Sequence, residues 1–242
     1  MPPEPAASPP SDPWEDPFAR PFAGVLLDMD GTLIDSIAAV ERSWGRGCEE
    51  YDVDPARLIG FHGVTARGIV ARLLPEDRLD EAFARIREIE RTDVDDIVVL
   101  PGALDLLAGL SAAGVPTAIV TSSTDDLAEA RLTATDLPRP TVVVTASDVT
   151  RGKPHPDPWL LGARRLGVDP GECLVVEDAV AGLQAARAAR CRGLVGLTST
   201  MTAEEVGAEA DLVLPDLTAL RWRTSAVERS VRVDRPGVQR HG

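Results

Sequence analysis

Six short apolar runs set the limits on what this chain can fold into. Gly24–Leu27, Thr117–Val120, Thr141–Val144, Cys173–Val176, Gly193–Leu197 and Leu212–Leu214 are each three to five residues long and rich in Val, Leu and Ile. None shows the alternation of apolar and polar residues that marks a half-solvated strand. A strand apolar on both sides must be covered on both sides, which is the situation of a strand inside a parallel sheet. Between the runs lie Ala103–Ala113, Asp126–Thr135, Pro158–Leu166 and Ala179–Ala189, with apolar residues at the three- and four-residue spacing of an amphipathic helix. Parallel neighbours need crossover connections, and these helices supply them. The pattern specifies an α/β fold, a Rossmann-like parallel sheet with helices on both faces.

One stretch departs from the alternation. From residue 36 to 100 the period is helical, in Ile37–Tyr51, Val64–Leu74 and Leu79–Ile89, and no strand pattern returns until Ile97. We read this as an inserted all-helical cap domain, residues 36–100, on a core built from residues 21–35 and 101–222. Residues 1–20 hold seven of the twenty prolines without any apolar period, which predicts a disordered extension. The stretch from Arg221 to the end carries six Arg against Glu228 and Asp234, and residues 223–242 read as a basic, flexible tail.

Composition excludes several roles. A net charge of -14 argues against nucleic acid as a partner, because a phosphate backbone is held mainly by clustered Lys and Arg. No apolar run approaches the roughly eighteen residues of a membrane span, so no membrane role is expected. The first residues are prolines and acids rather than a basic and then apolar leader, which predicts a cytoplasmic protein. Cys48, Cys173 and Cys191 are odd in number and lack C-x-x-C spacing, so they predict neither a disulfide framework nor a zinc site. Of the 25 basic residues only Lys153 is a lysine. Where arginine has taken every other basic position, the exception suggests a place that needs a compact ammonium.

In an open parallel sheet, ligands bind at the carboxyl ends of the strands. The first run ends in Asp28-Met-Asp30, the second in Thr121-Ser122-Ser123, and the fourth in Glu177-Asp178. Asp28 and Asp30 stand two apart in an extended segment and share a side. With Glu177 and Asp178 nearby, four carboxylates would raise one another's pKa unless a hard cation with oxygen ligands neutralised them, and Mg²⁺ is the expected one. Thr121 and Ser122, at a strand-to-helix turn, suit a phosphate. Lys153, in Arg151-Gly-Lys-Pro-His-Pro156 and held by Pro154, Pro156 and Pro158 after it, would balance the acids and hold a phosphoryl oxygen.

Asp28-Met-Asp-Gly-Thr32, a strand ending in Thr121, then Lys153, then Glu177-Asp178 together resemble the haloacid dehalogenase superfamily, over residues 22 to about 215. The helical insert is similar to the cap of that superfamily's first subclass. Val40-Glu-Arg-Ser-Trp44, His62-Gly63, the run Leu100-Pro-Gly-Ala103 and the segment around Lys153 resemble the sugar-phosphate and polyol-phosphate phosphatases. The resemblance implies a Mg²⁺-dependent hydrolase of small phosphorylated metabolites that works through an aspartyl-phosphate. It implies Asp28 as nucleophile and Asp30 as the acid and then the base. It further implies Thr121, Ser122 and Lys153 as phosphate ligands, and Asp28, Asp30 through its main-chain carbonyl, and Asp178 as metal ligands, with Glu177 in support of that shell. His62 and Arg67 of the cap are candidates for the sugar or polyol end. β-Phosphoglucomutases, the nearest alternative, carry a histidine where Val40 stands and an arginine where Gly63 stands. Phosphoglycolate phosphatases are a second alternative, and a regulator that keeps the fold without the chemistry a remote one. The dehalogenase branch itself lacks the second aspartate of the first motif, which Asp30 supplies.

Overall fold

The computed structural model describes residues 16–58 and 65–234. In chain order, β1 (Gly24–Leu27) is followed by β2 (Ile34–Asp35), α1 (Ile37–Tyr51), α2 (Ala66–Leu73), α3 (Leu79–Thr92) and β3 (Val98–Val99). Next come α4 (Ala103–Ala112), β4 (Thr117–Val120), α5 (Asp125–Ala134), β5 (Val142–Val144), α6 (Asp157–Leu166) and β6 (Cys173–Glu177). The chain ends with α7 (Val180–Ala188), β7 (Gly193–Leu197), α8 (Ala203–Gly207), β8 (Leu212–Leu214), β9 (Arg221–Ser225) and β10 (Ser230–Asp234).

Six of these strands form one parallel sheet in the order β5-β4-β1-β6-β7-β8. β1 lies between β4 and β6, with Leu26 opposite Ala118 on one side and Val175 on the other. From β1 the chain builds outward first through β4 and β5, then returns to add β6, β7 and β8 on the other side, so the strand order reverses next to β1. The crevice at the carboxyl end of that reversal is where such sheets bind ligands.

Successive residues of each strand feed opposite faces. Leu27, Ile119, Val176 and Val195 pack on one face against Leu107 and Leu110 of α4. Leu26, Val120, Val175 and Leu194 pack on the other, against Trp159 of α6 and Leu183 of α7. This is why the runs are apolar throughout: both parities of each strand are core. The three cysteines are buried free thiols, as ordinary small apolar residues would be. Among the described residues no helix is long and apolar enough to cross a membrane.

The cap leaves and rejoins the core through a small ribbon. β2 and β3 pair antiparallel, Ile34 opposite Val99, and the Leu100 amide donates to the Leu33 carbonyl at 2.9 Å. Within the cap, α1, α2 and α3 close over their own apolar cluster of Trp44, Ile69, Val70, Ala82 and Ile86.

Both ends of the described chain correct the sequence reading. Residues 16–20, read as part of a disordered extension, form a turn whose Phe18 is buried and meets Phe22 edge-on at 5.9 Å. Residues 1–15 lie outside the described residues. Residues 221–234, read mostly as flexible tail, form an antiparallel hairpin whose Val231 and Val233 are buried and whose Val231 pairs with Phe22. The reason is visible in Ser230-Val-Arg-Val-Asp234, a period of two that the arginine count conceals. Residues 235–242 of the tail lie outside the described residues.

Candidate active site

Three strand ends deliver the site. Asp28 follows β1, Thr121 follows β4, and Glu177 closes β6 with Asp178 next. All four are buried. Lys153 comes from the loop between β5 and α6, 125 residues from Asp28, and is equally buried. Its ammonium donates to Asp28 Oδ1 at 2.5 Å, to Glu177 Oε2 at 2.7 Å and to the Val120 carbonyl at 3.1 Å. The Trp159 ring lies against it, 4.4 Å from the ring centre. Burial alone would weaken the ammonium's hold on its proton, but the charges of Asp28 and Glu177 outweigh that and keep it above its usual range. Lys153 is a fixed cation.

Glu177 is fully engaged. One oxygen takes Lys153 and the other accepts from the Asp178 and Ala179 amides, at 3.2 and 3.1 Å, at the start of α7. A methyl at Gly182 would collide with the Glu177 carboxylate, so only glycine lets α7 sit this close. Asp178 is oriented by hydroxyls: Thr32 Oγ1 donates at 3.2 Å and Thr200 Oγ1 donates to its other oxygen. Gly31, at φ +85°, makes the turn that brings Thr32 there, in a conformation that favours glycine.

Asp28, Glu177 and Asp178 each offer a carboxylate oxygen within 4.8 Å of the others, an all-oxygen set that suits a hard divalent cation. Without one, three acids share a single lysine. Burial and Glu177 raise the Asp28 carboxyl well above its ordinary range, and the same two causes push Asp178 up to about 8. Asp28 and Asp178, whose oxygens each accept at most one hydrogen bond, would hold the ion directly, with Glu177, whose two oxygens accept three, in support. The fit yields a prediction with a definite sign. A carboxyl raised in the folded state adds stability below its ordinary value of 3.8 and loses it as pH rises toward about 8. The Tm of metal-free protein is therefore expected to fall between about pH 5 and pH 8, and Mg²⁺ to raise Tm more at the upper end than at the lower. A scanning-fluorimetry series with and without Mg²⁺ checks this. A Mg²⁺ effect independent of pH would count against the cation site.

Asp30 stands apart from this trio. Its Oδ1 accepts from Ser36 Oγ at 2.8 Å and from Arg131 Nη1 at 2.8 Å, while Oδ2 accepts from Ser123 Oγ at 3.0 Å and, more loosely, from Thr121 Oγ1 at 3.4 Å. Its carboxylate does not join the metal-sized cluster. Thr121 Oγ1 also accepts from the Ser123 amide at 3.0 Å, forming the polar turn expected before α5.

Cap and core enclose a cavity of about 510 Å³. Asp28, Asp30 and Ser122 line it from the core, and Val40, Trp44 and Ile69 from the cap. Chemistry lies at the core end under a largely apolar roof, the usual composition of a small-molecule site.

Of the two cap candidates, Arg67 is exposed, 2.7 Å from Asp80 and beside the Phe83 ring, and is not among the residues lining the cavity. The expectation that it reaches substrate is corrected: Ile69 and Val70 occupy the buried side of the short helix α2 and turn Arg67 outward. His62 lies outside the described residues. The sequence reading missed Arg131, Ser36, Thr200, Glu90 and Trp159. Ser36 follows a polar strand end and was open to discovery. Arg131 and Glu90 carry no local signal, because each is one charge on a charged helix.

The family model for haloacid dehalogenase-like hydrolases matches residues 22–190. Hexitol phosphatase A of Escherichia coli is 42% identical over 198 residues, covering 80% of this chain and 91% of that protein. The validoxylamine A 7'-phosphate phosphatase of Streptomyces hygroscopicus subsp. limoneus is 38% identical, with 81% and 95% covered. Among solved structures, a hydrolase from Pseudomonas syringae superposes with a TM-score of 0.74 at 27% identity, covering 80% of this chain and 94% of that one.

Proposed function

The chain belongs to the haloacid dehalogenase-like hydrolases, and from that premise we propose that it is a phosphatase that releases phosphate from small phosphorylated sugars or polyols by way of an aspartyl-phosphate. The observation that carries the reading is the state of Asp28. Lys153 holds Oδ1, while Oδ2 has no hydrogen-bond partner among the described residues, at the floor of the cavity. A carboxylate fixed by one oxygen and free at the other is arranged for in-line attack.

In the first half of the reaction, Asp28 Oδ2 bonds to phosphorus as the bond to the substrate oxygen breaks, and Asp30 gives that departing oxygen its proton. In the second half, Asp30 takes a proton from water while the water oxygen attacks phosphorus. The bond to Asp28 then breaks and inorganic phosphate leaves. Two displacements replace one difficult step, and one carboxyl serves both proton transfers. We assign Thr121, Ser122 and Lys153 to holding the phosphoryl oxygens, whose charge dominates the transition state; Lys153, which donates to Asp28, Glu177 and the Val120 carbonyl, would exchange one of these bonds to do so. Asp28 and Asp178 would hold a divalent cation, which would further neutralise that charge.

The relative at 42% identity is a hexitol phosphatase, which supports a polyol or sugar tail for this substrate. Val40 on the roof of the cavity offers no base at the position where β-phosphoglucomutases carry a histidine, which supports hydrolysis over isomerisation. The test is a phosphate-release screen with Mg²⁺ across hexitol phosphates, hexose phosphates, glycerol phosphate and phosphoglycolate, ranked by kcat/KM. Hexitol or hexose phosphates are expected to lead. A lead for phosphoglycolate, or glucose phosphate isomerised faster than hydrolysed, would replace this reading.

A further inference from the structure

We propose that Gly45 and Glu41 of α1 determine which phosphate esters the cavity takes: Gly45 sets how long a tail fits, and Glu41 sets that the tail be hydroxylated and uncharged. The proposal rests on the phosphatase reading above and deepens it by naming the residues that choose among substrates.

Five residues of α1 line the cavity, Ile37, Val40, Glu41, Trp44 and Gly45. Their spacing of three, one, three and one is a single stripe of a helix, so one face of α1 forms this wall. The stripe starts beside the chemistry. Ser36, the residue before α1, donates through its Oγ to Asp30 Oδ1 at 2.8 Å. At 1.5 Å of rise per residue, Glu41 stands about 6 Å and Gly45 about 12 Å beyond Ile37 along the helix axis. A tail that leaves the phosphoryl site along this wall meets Ile37 first, Glu41 next and Gly45 last.

Glycine inside a helix is destabilising relative to alanine, and α1 holds two, Gly45 and Gly47. Packing accounts for one of them. A methyl at Gly47 would collide with Ile86 of α3, whereas a methyl at Gly45 would meet no atom of the described residues within 4 Å. It would enter the cavity that Gly45 lines. Because the Cα–Cβ bond of a helix tilts toward its N-terminus, a side chain at 45 would lie over the turn that carries Glu41. The missing side chain is room at the far end of the tail's path.

Glu41 supplies the polar contact on that path. Ile37 and Val40 offer none, and the Trp44 Nε1 donor is taken by Glu90 Oε1 at 3.1 Å. The Glu41 carboxylate makes no hydrogen bond or ion pair with any described residue. Hydroxyls moved from water into a largely apolar cavity need partners, and a carboxylate accepts from them. The same charge opposes a tail that ends in a carboxylate or a second phosphate. Arg87, which lines the cavity from the cap as well, is already paired with Asp126 at 2.8 Å.

The test measures kcat/KM with Mg²⁺ for a hexitol phosphate, glycerol phosphate and phosphoglycolate in wild type, Gly45→Leu and Glu41→Gln. Leucine favours a helix more than glycine does, so Gly45→Leu is expected to melt no lower than wild type. Its preference for the hexitol phosphate over glycerol phosphate is expected to fall about tenfold or more, the scale on which pocket size discriminates. Gly45→Ala is expected to melt higher than wild type and to show the same change at smaller size. Glu41→Gln keeps the length and removes the charge, and its preference for phosphoglycolate over the hexitol phosphate is expected to rise about threefold or more at low salt. Equal losses on the two polyol esters in Gly45→Leu, or an unchanged preference between charged and uncharged tails in Glu41→Gln, would overturn the proposal and leave the phosphatase reading in place. Wild-type protein inert toward all three esters would overturn that reading, and this one with it.

Discussion

Asp28→Asn is expected to lower phosphate release by roughly 10⁴-fold or more, the scale on which loss of a nucleophile acts, without unfolding the protein. An amide keeps the shape of the side chain but cannot attack phosphorus, and it holds a divalent cation poorly. The effect on stability has the opposite sense. In the metal-free site Asp28, Glu177 and Asp178 share the one ammonium of Lys153, and burial already holds the Asp28 carboxyl above its ordinary range. Making one of the three neutral relieves that repulsion, so the Tm of metal-free Asp28→Asn is expected to equal or exceed wild type. The stabilisation by Mg²⁺ is expected to shrink. Phosphate release and thermal melting on the same preparation check both halves. Activity within tenfold of wild type, or a phosphorylated residue mapped elsewhere in the chain, would remove the covalent mechanism.

Lys153 carries the second large effect. Truncating one partner of a buried charge pair costs about 2 to 5 kcal/mol. At about 1.4 kcal/mol per factor of ten, Lys153→Met is expected to lose roughly 30-fold to several thousand-fold in kcat/KM. Here stability falls with activity, because Asp28 and Glu177 lose their shared counter-charge inside the protein, a change worth about 3 to 5 kcal/mol. Lys153→Arg separates charge from shape. The seat is bounded by the Val120 carbonyl at 3.1 Å and the Trp159 ring at 4.4 Å, and a planar guanidinium is too wide for it. That variant is expected to keep more of the stability than Lys153→Met but little of the activity. Full activity in Lys153→Arg would show that any cation suffices and that the seat is not shaped for an ammonium. Chemical modification is a poor substitute for these variants, since Lys153 is only 3% exposed.

What the sequence determined by itself was whatever depends on neighbours in the chain. Apolar runs with no polar parity demanded a parallel sheet covered on both faces, and the helical period from 36 to 100 marked the insert. The strand ends then had to bring Asp28, Thr121, Glu177 and Asp178 to one edge, because a parallel sheet puts all carboxyl ends on the same side. Lys153 stood out by composition alone, as the one lysine among 25 basic residues. Tertiary structure decided the partners. Periodicity tells which side of an element is buried, but not which distant group will meet a side chain there. Arg131 reaches Asp30 across 101 residues and faces Glu90 of another helix, and nothing within either helix distinguishes those charges from solvated ones. Arg67 reads as equally available, yet the rotation of α2, set by burial of Ile69 and Val70, sends it to solvent. The hairpin at 221–234 was decided by Phe22, 209 residues from its partner Val231, which gives an arginine-rich strand an apolar surface to lie on.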